Sequence, residues 1–167
     1  ALVDIALTQQ RAARWLDDKT VAIPVREVAE RWIVYYWPLF TSSVFLPQMN
    51  GEQAAGEHKL AFARQLEALI ACYRRTGDLR GFAAERRGEA LSPGAEEAHA
   101  RLLAKLEKTI KEGPITHAGS ARGSGKLFDH DKGDLHLAGT LWQELSLMGY
   151  WIRDALVLRW AEKVAAL

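Results

Sequence analysis

A basic, glycine-rich segment is the part of this sequence best suited to contacting an anion. Residues 113–128 contain four glycines and two serines but no acidic residue. Glycines allow close backbone approach, N–H groups and serine hydroxyls bind phosphate oxygens, and arginine or lysine can bond guanine N7 and O6. A flexible surface loop has the same composition, so both interpretations stay open. The candidate contact residues are His117, Ser120, Arg122, Gly123, Ser124, Gly125 and Lys126.

A second candidate site is the aromatic stretch from residue 31 to residue 40, in which five of ten residues are aromatic. Pro38 lacks an N–H group and disfavours helical geometry at Trp37, so we expect a helix to end there. Trp32 and Tyr36 are then predicted to be core residues, with Trp37 and Pro38 forming an exposed apolar ledge. Downstream, Gln48, Asn50 and Lys59 could bond a backbone phosphate.

Catalytic and metal-binding patterns are weak. The five histidines are scattered, without the spacing that places two metal ligands on one helix face. Asp129, Asp131 and Asp134 fit a solvated hairpin turn better than a calcium loop, because Thr140 stands where such a loop needs a glutamate. We therefore predict no catalytic residue, no metal and no cofactor. A small hydrolase built on this aspartate cluster is the weakest alternative.

Composition predicts one soluble domain over residues 1–167. The net charge is +1, so only local clusters of basic residues could bind a polyanion. No apolar run approaches the roughly 18 residues of a membrane span, so no membrane partner is expected. Cys72 is the single cysteine, and the first residues lack the basic leader of a signal peptide. Both features favour a cytoplasmic location.

The elements that would position these residues are mainly helical. Two short apolar pieces around an Asp-Lys-Gly-Asp turn predict a β-hairpin over residues 126–137. The predicted fold class is mainly α, a helical bundle with a long glycine-rich basic loop and a small β-hairpin. Apolar spacing and helix-end signals predict helices over residues 2–17, 24–37, 53–75, 79–87, 93–112 and 140–165. Residues 17–24 are expected to be a connector, and Ser92-Pro93 and Gly113-Pro114 mark the start and the stop of the fifth helix. The last helix has a predicted core stripe of Leu141, Leu145, Met148, Ile152, Leu156 and Trp160.

Several of these motifs together resemble the sulfur-binding domain of phosphorothioate-dependent, McrA-like HNH restriction endonucleases (type IV). The resemblance rests on the run from Val25 to Pro38, on Gln48 and Asn50, and on the basic glycine loop. It also includes Gly139-Thr-Leu-Trp-Gln-Glu-Leu-Ser146, Trp151-Ile152 and Arg159-Trp160. The partner it implies is double-stranded DNA in which sulfur replaces one non-bridging phosphate oxygen.

The resemblance also implies roles for particular residues. Trp37, Pro38 and Thr41 would line a nonpolar cavity for the sulfur, and the basic loop would contact neighbouring bases and phosphates. An HNH nuclease domain would belong to the full-length polypeptide. No His-Asn-His constellation occurs in these 167 residues, so this part is expected to bind without cutting. The alternative prediction is a helical protein–protein interaction module that uses the aromatic ledge.

Overall fold

The computed structural model describes residues 1–49, 52, 57–75, 78–88, 90–118 and 126–166. The fold is mainly α-helical with a small antiparallel sheet, which confirms the predicted fold class. The described helices are α1 (Leu2–Thr8), α2 (Val25–Thr41), α3 (Ala63–Tyr73), α4 (Asp78–Arg87), α5 (Pro93–Ile110), α6 (Gly139–Leu147) and α7 (Gly149–Ala165). The strands are β1 (Arg14–Trp15), β2 (Thr20–Pro24), β3 (Phe128–Asp131) and β4 (Asp134–Ala138).

The chain divides into two compact units. Unit 1 comprises Ala1–Arg31 together with Glu107–Ala166, and unit 2 comprises Trp32–Leu106. Unit 1 contains the whole sheet, whereas the described elements of unit 2 are helical.

Unit 1 is organised around a four-stranded sheet in the order β1-β2-β4-β3. The hairpin prediction is confirmed: β3 pairs with β4, and Lys132 and Gly133 connect them with positive φ angles of 46° and 100°. Two such residues make the tight turn whose twist matches paired strands. The sheet is larger than predicted, because β2 forms where a connector was expected. Three consecutive buried residues, Val21 to Ile23, carry no periodicity that would reveal a strand.

Helices α1 and α6 supply the apolar side chains that accompany this sheet in the core of unit 1. The first helix is shorter than the predicted 2–17, because α1 ends at Thr8 and the chain turns through a 3₁₀ helix into β1. Pairing of β1 with β2 therefore overrides the helical pattern of residues 9–15. The buried apolar residues include Val3, Ile5, Ala6, Val21, Ile23, Leu135, Leu137, Trp142 and Leu145.

The C-terminal helical pattern is interrupted rather than continuous. The sequence predicted one helix over residues 140–165, but Met148 separates α6 from α7. Gly149 lies against α1, since a Cβ built on it would be 2.9 Å from Leu7 Cδ2. The predicted core stripe is also wrong in its second half, because Leu156 and Trp160 are exposed.

The predicted stop at Gly113-Pro114 is wrong as well. After α5 ends at Ile110, a π-helix continues over Lys111–Ile115 and includes Pro114. The fixed φ of proline is itself helical, so the chain continues through Pro114 at the cost of a hydrogen bond and of crowding between the proline ring and the preceding turn.

Gly139, the first residue of α6, permits a close contact with Trp15. A Cβ built on Gly139 would lie 2.4 Å from Trp15 Cζ3, so the indole ring would have to move. Because Trp15 is 46% exposed and its ring can move, we expect Gly139→Ala to lower the free energy of unfolding by about 1 kcal/mol, the low end of the range for overpacking. Gly94→Ala, in the first turn of α5 with no atom within 4 Å of the added Cβ, is the matched control.

Urea unfolding followed by circular dichroism measures both changes. The control should be neutral or stabilised by up to about 1 kcal/mol, because alanine has the higher helix propensity. Equal stability of the two variants would contradict the proposed contact between Gly139 and Trp15.

Unit 2 is held together by a cluster of aromatic rings on α2, α3 and α4. Trp37 stacks on Phe82 with ring centroids 5.3 Å apart, and Tyr73 lies 6.1 Å from Trp37 and 5.6 Å from Phe82. All three side chains are buried. The adjacent apolar core includes Ile33, Phe62, Leu66, Leu69, Ile70, Ala95, Leu102, Leu103 and Leu106.

Candidate functional site

The three residues expected to form a nonpolar cavity line one open depression in unit 2. Trp37, Pro38 and Thr41 contribute the α2 side of it, and its volume is about 400 Å³. We call it the Pro38 depression. The α4 side is formed by Asp78, Leu79, Arg80 and Ala83.

Pro38 does not end its helix, contrary to the sequence prediction. Helix α2 continues to Thr41, and Pro38 occupies its last turn. The carbonyl of Val34 loses its usual N–H partner, but Val34 lies on an exposed side of the helix, where water can bond that carbonyl. Pro38 itself is exposed, as a ligand contact requires.

Trp37 occupies a different environment from the one predicted. It is 1% exposed and belongs to the core, whereas Trp32 and Tyr36, which were predicted to be core residues, are only partly buried. The prediction was wrong because continuation of the helix turns Trp37 toward Tyr73 and Phe82. A ligand in the depression would therefore meet mainly Pro38, Leu79 and Ala83, with Trp37 beneath them.

Asp78 connects the two sides of the depression. Its Oδ1 accepts a hydrogen bond of 2.5 Å from Trp37 Nε1. Asp78 also has a φ of 56°, a left-handed conformation that aspartate adopts more readily than most residues. On α2, the Thr41 hydroxyl donates to the Trp37 carbonyl at 3.2 Å, so its proton is already used within the helix.

The residues that α4 contributes to the depression were not predicted from the sequence. Helix 79–87 was correctly predicted, and Leu79 and Ala83 are four residues apart, which places them on one face. This spacing was the available signal. Nothing in the sequence indicated that this face would lie beside Pro38. Arg80, an exposed cation, adds a positive charge to an otherwise largely apolar lining.

Gln48 and Lys59, two predicted phosphate contacts, are organised by a buried carboxylate. Glu52 is 0% exposed and accepts hydrogen bonds from the backbone N–H groups of Gln48 and Lys59, the latter at 2.8 Å. His58 Nδ1 lies 3.4 Å from the same carboxylate. Burial alone would raise the pKa of Glu52, but these hydrogen bonds outweigh it and hold the pKa below its usual value.

The side chain of Gln48 is also engaged. Its Nε2 donates to the carbonyls of Leu46 and Pro47, at 3.1 and 3.0 Å. These bonds use the donors that a phosphate contact would need. Lys59 is exposed, and Asn50 lies outside the described residues.

The ends of the glycine-rich segment belong to unit 1. His117 and Lys126 are both exposed. The backbone N–H of Leu127 donates to the carbonyl of Ala118 at 3.2 Å, which joins the two flanks. Ser120, Arg122, Gly123, Ser124 and Gly125 lie outside the described residues, so their predicted contacts stay predictions.

No cluster of three or more His, Cys, Asp or Glu side chains in the described part of the chain is arranged to hold a metal ion. Among the same residues, no helix combines the length and apolar character needed to cross a membrane. Asp129, Asp131 and Asp134 lie in the β3–β4 hairpin, where the Asp134 carboxylate pairs with Arg14 at 2.7 Å.

Fold and site together define a mainly α-helical protein with a small antiparallel sheet and an apolar surface depression bordered by an arginine. The chain belongs to the DUF8808 family, a domain of unknown function, whose family model matches residues 1–167. This match spans both compact units. No curated protein and no solved structure matches the chain.

Proposed function

We propose that this chain reads phosphorothioate-modified double-stranded DNA in its sequence context, with the backbone sulfur held in the Pro38 depression. The observation that carries the proposal is the meeting of Trp37, Pro38 and Thr41 in one depression, where Leu79 and Ala83 enlarge its apolar surface.

The physical basis is the difference in hydration between sulfur and oxygen. Sulfur is larger, softer and more weakly hydrated, so it gains dispersion contacts with Pro38, Leu79 and Ala83. A phosphate oxygen placed against these three apolar side chains would lose water without gaining a hydrogen bond from them. Partial apolar burial is worth on the order of 1–3 kcal/mol, or roughly 5- to 150-fold in affinity. Arg80 would attract the negative charge that the phosphorothioate backbone and the ordinary phosphate backbone both carry.

The buried Trp37 would act by positioning the lining rather than by touching the sulfur. Its indole bonds Asp78 on α4 while its ring stacks on Phe82. It thereby fixes α4 against the last turn of α2, and with it the spacing between Pro38 and Ala83.

The remaining parts of the proposal come from the resemblance. The segment from His117 to Lys126, with Arg122 at its centre, would read base edges and phosphates, assisted by Gln48, Asn50 and Lys59. An HNH nuclease domain of the full-length protein would cut the DNA, while this chain would only bind it. We propose the cytoplasm as the compartment, in keeping with the single cysteine.

The direct test compares two duplexes of one sequence that differ by a single backbone sulfur, prepared as separate stereoisomers. Fluorescence anisotropy at fixed salt gives the dissociation constant for each. We expect at least one sulfur stereoisomer to bind about 5-fold or more tightly than the unmodified duplex. Equal affinities for all three duplexes would refute the proposal.

Filling the depression should remove this discrimination. Ala83→Leu adds three carbon atoms where the sulfur would lie, so affinity for the modified duplex should fall to that for the unmodified one. Ala84→Leu makes the same change on an exposed neighbour in α4 that does not line the depression, and should leave the ratio intact. Retained discrimination in Ala83→Leu, with folding verified by circular dichroism, would place the sulfur elsewhere.

A second candidate function is protein–protein interaction. The aromatic ledge predicted for this role is not exposed at Trp37, which is buried. Helix α7, however, exposes more than half of each of four apolar side chains: Tyr150, Trp151, Leu156 and Val157. Salt separates the two functions, because phosphate contacts release counterions and weaken steeply as salt rises. Binding to a protein through an apolar helix would change little over the same salt range.

A further inference from the structure

We infer that Arg74, Arg75 and Arg80, at the corner between α3 and α4, hold backbone phosphates that neighbour the one in the Pro38 depression. We call this surface the α3–α4 corner. The inference rests on the proposed function, because it assigns the electrostatic contacts of the same DNA. It also differs from the sequence prediction, which placed the main phosphate contacts in the glycine-rich segment.

The α3–α4 corner lies next to the Pro38 depression. Tyr73, the last residue of α3, lies against Trp37 at the base of the depression, with ring centroids 6.1 Å apart. Arg74 follows directly. Asp78 and Arg80 both line the depression. Three peptide units connect Arg75 to Asp78, so their Cα atoms are separated by at most about 11 Å.

The three arginine side chains are available to a ligand. All three residues are exposed, and none of their guanidinium groups forms a hydrogen bond or ion pair with another described residue. Other arginines are already paired: Arg14 with Asp134 at 2.7 Å and Arg159 with Glu162 at 2.9 Å. The carboxylate at this corner, Asp78, accepts the Trp37 indole N–H. Three cations and one carboxylate leave the corner with a net positive charge.

The size of the corner matches the spacing of phosphates on one DNA strand. The rise is about 3.4 Å per phosphate along the helix axis, and successive phosphates lie farther apart than this in space because the backbone winds around the axis, so about 11 Å covers the phosphates immediately next to one in the depression. A sulfur-bearing linkage in the depression would therefore place its neighbours within reach of the corner. Both surfaces belong to unit 2, so this arrangement depends only on contacts within one compact unit.

The test is the double variant Arg74→Ala/Arg75→Ala, titrated with modified and unmodified duplexes at several salt concentrations. Each lost phosphate contact removes about 0.9 from the slope of log affinity against log salt, so the slope should become shallower by about 2. Affinity should fall by about 10-fold or more for both duplexes, and their ratio should not change.

Arg64→Ala is the matched control. Arg64 is exposed in the first turn of α3, ten residues before Arg74 and about 15 Å away along the helix axis. Loss of this charge should leave the slope of log affinity against log salt unchanged. The affinities for the modified and unmodified duplexes should both stay within about 2-fold of wild type. An equal loss in the control and the double variant would indicate a general charge effect and overturn the inference.

The outcomes separate the two proposals. If wild type prefers the modified duplex and the double variant binds like wild type, the inference fails and the proposed function stands. If wild type binds both duplexes equally and the double variant loses affinity and slope, the corner binds phosphates but the sulfur proposal fails. If wild type binds neither duplex, both fail. Displacement of the duplex by polyglutamate at equal charge concentration would assign the corner to an acidic protein and overturn the inference.

Discussion

Trp37→Ala is expected to lower the free energy of unfolding by about 3–5 kcal/mol, the range for removing a fully buried tryptophan. The substitution removes the ring that stacks on Phe82 and approaches Tyr73, and it leaves a cavity among three helices of unit 2. It also removes the donor to Asp78. Urea unfolding followed by far-UV circular dichroism measures the change.

Two controls make this prediction specific. Trp151→Ala is the same substitution at a site 68% exposed, and it should change stability by no more than about 0.5 kcal/mol. Trp37→Phe keeps an aromatic ring in the core but loses the N–H donor, so its stability should lie between wild type and Trp37→Ala. If Trp37→Ala unfolds like Trp151→Ala, the assignment of Trp37 to the core is wrong.

Glu52→Gln is expected to lower the free energy of unfolding by about 1.5–3 kcal/mol at pH 7, the range for hydrogen bonds to a buried charge. The carboxylate accepts from Gln48 and Lys59 through separate oxygens. Glutamine has one acceptor oxygen, so its NH₂ group would face a backbone N–H. The donor left without an acceptor would be buried beside the ring of His58.

The pH dependence of this effect has a definite sign. The folded-state pKa of Glu52 is lower than the unfolded value near 4.5, because its hydrogen bonds outweigh the effect of burial. The stability it contributes is therefore fully present above about pH 4.5 and is lost as the pH falls through the folded-state pKa. The difference between wild type and Glu52→Gln should shrink in that acidic range.

Glu67→Gln is the control for this series. Glu67 is exposed on α3, so its neutralisation should change stability by no more than about 0.5 kcal/mol across the same pH range. A difference between wild type and Glu52→Gln that grows on acidification would contradict the assigned role of the carboxylate.

Local patterns predicted much of the secondary structure. The helix over 79–87 and the start near residue 93 agree with α4 and α5, because apolar spacing and the Ser92-Pro93 signal act within a few residues. The hairpin was recognisable for the same reason, since its turn chemistry is local. Strands β1 and β2 were not recognisable. Both are short; β1 pairs with β2, and β2 pairs with β4, more than a hundred residues later.

The site, like the secondary structure, was predictable only where its residues are close together in the sequence. The resemblance implied that Trp37, Pro38 and Thr41 lie together, and because α2 continues through Thr41 they do line one depression. The roles within that group were predicted incorrectly, since Pro38 was expected to end the helix and expose Trp37. Pro38 costs one hydrogen bond and crowds the carbonyl of Val34 with its ring, and the packing of Trp37 on Tyr73 and Phe82 offsets that cost.

By itself, then, the sequence determined the helical class, the hairpin and one side of the depression, because each depends on residues a few positions apart. Only the tertiary structure decided that α4 forms the other side, with Leu79, Arg80 and Ala83 opposite Pro38. It also decided that Trp37 is a core residue bonded to Asp78, forty-one positions away. Contacts at such separation depend on how whole helices pack, and no spacing within a single helix encodes them.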